Sequence, residues 1–411
     1  MKRSGTRRFF RACGWIVAAV LLVLIVFGIA RREELVRLYN VIVLFEPDVV
    51  VENFRGMDEI FFDTRTVHAG DDVWELDYTK TVLPETYEYD GDVKSIDAFL
   101  EETWTTGMIV IYDDAIVYEE YFLGGDETSR HISWSVAKSF VSAMMGIAVD
   151  EGHIDSIEDP ATKYVPSLIG SGYEGVRIKD ILQMSSGVRF DETYSDFFSD
   201  INRMGRVIAL NTSLADFIAT LENEREPGTY NHYVSMDTQV LGMVLMEATG
   251  KNLTELLEEY IWKPVGMEAD AYWLVDGDGA ELAFGGLNAV LRDYARFGLL
   301  YLHDGRRGNT QIVPEDWVKA SVTPDAPHLM PGENPASDWV MGYGYQWWIP
   351  PEPEGDFMAI GIYNQFIYVN PDLGVVIAKN SAYADYDTDG EEKELESVAV
   401  FRAIAHALAG R

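Results

Sequence analysis

One cysteine in 411 residues, Cys13, excludes a disulfide framework and a thiolate metal site. The seven histidines are scattered and form no H-E-x-x-H pair, so zinc-dependent hydrolysis has no ligand set in the sequence. Basic residues are scarce, 32 Lys and Arg against 68 Asp and Glu, and the net charge of −36 divides into +5 on residues 1–30 and −41 on the rest. A body of that charge repels nucleic acid and anionic headgroups and reads as a heavily solvated acidic surface. No G-x-S-x-G elbow occurs, which removes the α/β-hydrolase way of presenting a serine. Repeats and low-complexity tracts are missing too. With 15 prolines and 47% hydrophobic residues, the chain is globular and long enough for one large domain or two interleaved ones.

The N-terminus differs from the rest. Lys2, Arg3, Arg7, Arg8 and Arg11 precede an uncharged, mostly apolar run from Ala12 to Ala30, closed by Arg31 and Arg32. As a helix rising about 1.5 Å per residue, this run spans roughly the hydrocarbon layer of a bilayer, whereas the apolar core of a cleaved signal is usually about 7 to 15 residues. It therefore reads as a membrane anchor over 12–30, and the basic cluster places the N-terminus in the cytoplasm and the body outside it, periplasmic or extracellular. The competing assignment is a long cleaved signal ending at Gly28-Ile29-Ala30.

Along the body, MIVIYDDAIVYEEYF from Met108 to Phe122 is two β-rich runs about Asp113-Asp114-Ala115, a hairpin expected at the centre of a sheet. After Ser133-Trp134-Ser135 the apolar residues Val136, Phe140, Val141, Met144, Ile147 and Ala148 recur at helical spacing, predicting a buried helix from Ser135 to Gly152. Helical patterns dominate from about Asp155 to Leu282, strand patterns return in GYGYQWWI, FIYVNP and GVVIAKN, and a last helix is expected over about Glu392–Leu408. The order implies one sheet drawn from both ends of the body around a largely helical insertion. The expected organisation is a tail and anchor over 1–35, a lead-in segment over 36–100, and a catalytic domain over 101–411. Its sheet comes from about 101–150 and 283–411, and its insertion from about 151–282.

Ser135-Val136-Ala137-Lys138 is the single S-x-x-K tetrad of the chain, and it stands at a predicted helix start. Residues three apart share a helix face, so the Lys138 amine reaches the Ser135 hydroxyl beside a helix N-terminus that favours developing negative charge. A lysine held in a dry site loses preference for its charged form and can take the serine proton. Nearly a hundred residues later, Glu226-Pro227-Gly228 leads into Tyr230-Asn231-His232-Tyr233-Val234-Ser235, a turn followed by a Tyr-x-Ser triplet.

S-x-x-K followed by P-G-x-x-x-x-Y-x-[NS] resembles the serine beta-lactamases and penicillin-recognising peptidases, a group with class C beta-lactamases, D-alanyl-D-alanine carboxypeptidases, esterases and 6-aminohexanoate-dimer hydrolases. ILQMSSGVRFDE, AFGGLNAVLRDYARFGLL, QIVPEDW, YGYQWW and IGIYNQFIYVNPDLGVVIAKN extend the likeness over nearly everything from Thr106 onward, with the esterase and 6-aminohexanoate-dimer hydrolase branch most similar. The resemblance implies an α/β (α+β) fold with an antiparallel sheet flanked by helices, and a serine hydrolase that cleaves a small ester or amide without a cofactor. It implies Ser135 as the acylated nucleophile, Lys138 as its base, and Tyr233 as a proton relay that the nearby ammonium would bias toward phenolate. It also implies an oxyanion hole from the Ser135 N–H and a strand within Ile360–Gln365, where Tyr363 and Asn364 fall. Asn288, His232 and Trp347 or Trp348 are candidates to line the substrate pocket. The late K-T-G or H-x-G is replaced by Gly361-Ile362-Tyr363-Asn364-Gln365, without a cation to hold a penicillin-like carboxylate. The alternatives are a D-alanyl-D-alanine carboxypeptidase acting on peptidoglycan, which would want that cation, and a catalytically silent sensor of the same fold.

Overall fold

The computed structural model describes residues 3–61 and 63–410; Met1, Lys2, Phe62 and Arg411 lie outside them. The main sheet has eight strands in the spatial order Gly342–Tyr343, Trp348–Ile349, Phe357–Gly361, Gln365–Asn370, Val375–Ser381, Thr105–Tyr112, Ala115–Tyr121 and Asp77–Tyr78. The first seven pair antiparallel, and the two-residue edge strand Asp77–Tyr78 runs parallel to Ala115–Tyr121, so the sheet is mixed. Asp113 and Asp114 form the two-residue hairpin loop at φ 47° and 64°, a left-handed conformation that short polar side chains tolerate.

Strand side chains alternate between two cores. Ile109, Ile111, Ile367, Val369 and Val376 face a large cluster, while Met108, Val110, Tyr368, Val375 and Ile377 face a second one with Val398, Phe401 and Ile404. Helix Leu291–Leu302 covers the first face, and Gly298 sits so close to Val376 that an added Cβ would come within 2.5 Å of it. Helix Tyr386–Leu408 covers the second face. It starts six residues before the expected Glu392 and kinks at Asp389, where φ is −145°. Both faces of the central strands are thus dry, which is why they read as nearly unbroken apolar runs.

The segment 36–100 does more than lead in. Thr64–Val67 is an edge of a second, four-stranded sheet with Ala271–Leu274, Leu287–Val290 and Arg130–Ile132, and Val50, Phe54, Met57 and Val67 are fully buried. Leu287–Val290, within the stretch 283–411 expected to supply a single sheet, belongs to this smaller one. Helix Ala137–Asp150, buried from Ala137 through Ala148, packs on helix Ser235–Thr249 and stacks Phe140 on Phe297 of helix Leu291–Leu302. Asp200–Ala209 and Ser235–Thr249 are the long helices of the middle region, and shorter helices such as Ile178–Leu182, Leu214–Ile218 and Leu253–Leu257 are spaced among its turns and loops.

Lys379, on the central strand Val375–Ser381, is fully buried over the rings of Phe99 and Phe366, and its ammonium donates to Ser381 Oγ at 2.5 Å. Burial pulls its pKa down to about 7. The unfolded chain therefore holds this proton more tightly, and the contribution to stability rises as pH climbs from about 7 toward the usual lysine value near 10.4. Lys379→Met should raise the melting temperature at neutral pH, with a limit of about 4–5 kcal/mol set by the shift, and should flatten the rise of stability above pH 7. A variant that melts lower than the parent at pH 7 would show that the Ser381 hydrogen bond outweighs the buried charge.

Candidate active site

Ser135 lies in a single 3₁₀ turn, Trp134–Val136, that runs straight into helix Ala137–Asp150, so one tighter turn precedes the α-helix expected at Ser135. The preceding Trp134 has φ 44°, a strained conformation for a bulky residue. Its ring is held by Phe45 and Phe54, with centroids 5.7 and 5.3 Å away.

Lys138 Nζ lies 3.0 Å from Ser135 Oγ, donates to the Phe284 carbonyl at 2.6 Å, and is 3.5 Å from Ser235 Oγ. The side chain is buried, and desolvation pulls its pKa down to about 7 against the opposing pull of the Glu192 and Asp237 carboxylates. Glu192 accepts the Ser235 backbone N–H at 2.5 Å, and burial raises its pKa although the Lys138 charge pulls it down. Asp237, fully buried, accepts the Tyr173 hydroxyl at 2.8 Å and is pushed well above the usual carboxylate range by desolvation. A desolvated lysine amine that gives up its proton far more readily than a free lysine thus touches the serine hydroxyl.

Tyr233 lines the same cavity as Ser135, its ring is 5.2 Å from Lys138 Nζ, and it stacks on Trp348 at 5.5 Å and 20°. Burial drives its pKa well above the usual phenol value. That direction runs against the phenolate bias expected from the neighbouring ammonium, and the Glu192 and Glu394 charges push the same way as burial.

These side chains open into a cavity of about 640 Å³ lined by Ser135, Tyr233, Trp348, Ile360 and Ile362 on one side. Eight carboxylates also line it, from Asp191, Glu192, Asp338, Asp387, Asp389, Glu391, Glu392 and Glu394, and no Lys or Arg is among its lining residues. Glu394 accepts the Tyr386 hydroxyl at 2.7 Å, and burial raises its pKa to about 8. Among the described residues, no group of His, Cys, Asp or Glu is arranged to hold a metal ion.

The other candidates divide. His232 lines the cavity, with Nδ1 2.5 Å from Asp338 Oδ2 and Nε2 2.9 Å from the Phe190 carbonyl. Of the adjacent tryptophans, Trp348 lines it, whereas Trp347 is fully buried against Tyr301, Phe297 and Phe357. Asn288 is buried on the smaller sheet, donates to the Gly286 carbonyl at 3.0 Å, and does not line the cavity. Tyr363 and Asn364, at φ 61° and 66°, turn between Phe357–Gly361 and Gln365–Asn370, and neither lines the cavity. Tyr363 stacks on Phe45 at 4.9 Å and 6° instead, and the cavity-lining residue of that turn is Ile362. Gly361 abuts the nucleophile turn: a Cβ there would lie 2.5 Å from Ser133 O and 3.1 Å from Ser135 N. Sequence reasoning missed Glu192, Asp237 and the Phe284 carbonyl. Glu192 closes the ILQMSSGVRFDE stretch, which carried a family likeness without pointing to the lysine.

Residues 94–398 match the family model described as Beta-lactamase. The 6-aminohexanoate-dimer hydrolase of Paenarthrobacter ureafaciens is 31% identical over 324 residues, covering 77% of this chain and 80% of that protein. A Bacillus anthracis structure assigned as a 6-aminohexanoate-dimer hydrolase superposes with a TM-score of 0.78 at 25% identity, over 89% of this chain and 96% of that one. EstCE1, a hydrolase with promiscuous acyltransferase activity, shares the fold with a TM-score of 0.60 at 13% identity, over 75% of this chain and 96% of its own. With that coverage and a beta-lactamase-like α/β fold, the chain belongs to the beta-lactamase family and is a hydrolase related to 6-aminohexanoate-dimer hydrolase.

Proposed function

We propose that the chain is a serine hydrolase that cleaves a small amide or ester through an acyl-enzyme on Ser135. The observation that carries this reading is the buried Lys138 amine 3.0 Å from Ser135 Oγ with its pKa brought to about 7. Neutral Lys138 takes the Ser135 proton as Oγ attacks the scissile carbonyl. The oxyanion is met by the Ser135 N–H and by the N–H of Ile362 beside Gly361. Tyr233 donates its phenolic proton to the departing amine or alkoxide and regains one from the Lys138 ammonium. Water then enters, loses a proton to neutral Lys138 as its oxygen attacks the acyl carbonyl, and the Lys138 ammonium returns that proton to Ser135 Oγ as the ester bond breaks and the acid leaves. The substrate lacks a carboxylate beside the scissile bond, because the acidic wall repels one and the late strand offers no cation. The apolar helix at Cys13–Ala30, with mean hydropathy 2.8 and nothing packed over it, anchors the protein with its catalytic body outside the cytoplasm.

The test uses the full chain in detergent. A fluorophosphonate adduct should map by mass spectrometry to the peptide holding Ser135. A p-nitrophenyl ester and the 6-aminohexanoate linear dimer should turn over, with nitrocefin slower by about 100-fold or more, the size of effect expected from like charges brought together. A folded protein that takes no adduct and turns over none of the three would be a silent binding protein.

A further inference from the structure

The apolar helix Arg3–Ala30 passes, across Arg31, into helix Arg32–Ile42, and this second helix is fixed to the body. Its Arg37 is buried, with Nε donating to the Phe61 carbonyl at 3.1 Å and Nη2 to Asp63 at 2.9 Å. The helix packs on Asp200–Ala209, which turns Ile201, Met204 and Ile208 inward. Just ahead of helix Asp200–Ala209, Phe197 and Phe198 are 63% and 79% exposed, edge to face at 5.2 Å, and the Arg206 guanidinium caps Phe197 at 4.3 Å. Leu35, Tyr39 and Ile42 on helix Arg32–Ile42, and Leu210 just past the end of Asp200–Ala209, are also exposed. The two segments, 31–43 and 197–210, hold five arginines against three acids in a chain where acids outnumber bases by 68 to 32.

We propose that Phe197, Phe198 and the exposed side of helix Arg32–Ile42 rest in the headgroup layer of the bilayer that holds the apolar helix. Aromatic rings flanked by arginines have the composition of an interfacial contact, and this patch escapes the acidity that repels the rest of the body from anionic lipid. The patch is continuous with the anchor through a helix without slack. Thr193, Tyr194 and Ser195, two to four residues before Phe197, line the catalytic cavity, so the cavity mouth stands at the membrane surface. This rests on the anchor reading above.

The experiment uses full chains in nanodiscs of phosphatidylcholine with some phosphatidylglycerol. Cys13 is replaced by serine, and a fluorophore is attached through Phe198→Cys, Val20→Cys or Val82→Cys in turn. Doxyl-labelled lipid should quench positions 20 and 198 by at least about twofold more than 82, which is 91% exposed. Quenching at 20 alone overturns the docking surface and leaves the anchor standing. Quenching at neither overturns both.

Discussion

Lys138→Met should lower kcat/KM by about three to four orders of magnitude, and Ser135→Ala by a similar factor, with the double variant no worse than either, because residues acting as one proton-transfer unit do not add. The methionine fills nearly the same volume and removes a buried amine, so the melting temperature should not fall. In the parent, the neutral amine is the active form. Folded Lys138 loses its proton near pH 7, so kcat/KM should fall about tenfold per unit below that value and level off above it. Steady-state rates on a p-nitrophenyl ester from pH 5 to 9, with melting curves for each variant, check both. A Lys138→Met enzyme within tenfold of the parent would move the role of base elsewhere.

Gly361→Ala should reduce kcat by about 10²-fold or more with a smaller change in KM. The new methyl group would sit 2.5 Å from Ser133 O and 3.1 Å from Ser135 N, closer than carbon and oxygen can pack. Either the nucleophile turn or the end of strand Phe357–Gly361 must shift, and the two oxyanion donors separate. The same substitution at Gly91, where nothing lies within 4 Å, serves as the control for handling, although its φ of 82° adds local strain. Equal kcat for Gly361→Ala and the parent would take the oxyanion role away from this strand end.

Much of the site was legible because its core is local: Ser135 and Lys138 are three apart, and a helix fixes their meeting. The central hairpin was equally readable, since a continuous apolar run bounded by Asp113-Asp114 has few other uses. What escaped notice depends on contacts far apart in sequence. The Phe284 carbonyl touches Lys138, and the Glu192 and Asp237 charges act on it from two other parts of the chain, and no spacing rule joins the three. Trp347 and Trp348 are chemically identical neighbours, and extended backbone sends them to opposite sides, one into core and one into the cavity. Tyr233 was placed correctly beside the ammonium, but its protonation depends on burial, which sequence does not display. Thr64–Val67 is four residues long, too short for a period to show, and its strand pairing exists only because Ala271–Leu274 lies beside it.

The strained backbone at Trp134 leans on Phe45 and Phe54, two rings that precede residue 94, where the family match begins. A soluble form cut at that apparent domain boundary would keep every catalytic side chain and lose the aromatic brace behind the nucleophile. The workable N-terminal limit falls near Arg32, well upstream of the conventional family boundary, because helix Arg32–Ile42 is itself tied to the body through Arg37, and the juxtamembrane segment belongs to the enzyme as much as to its anchor.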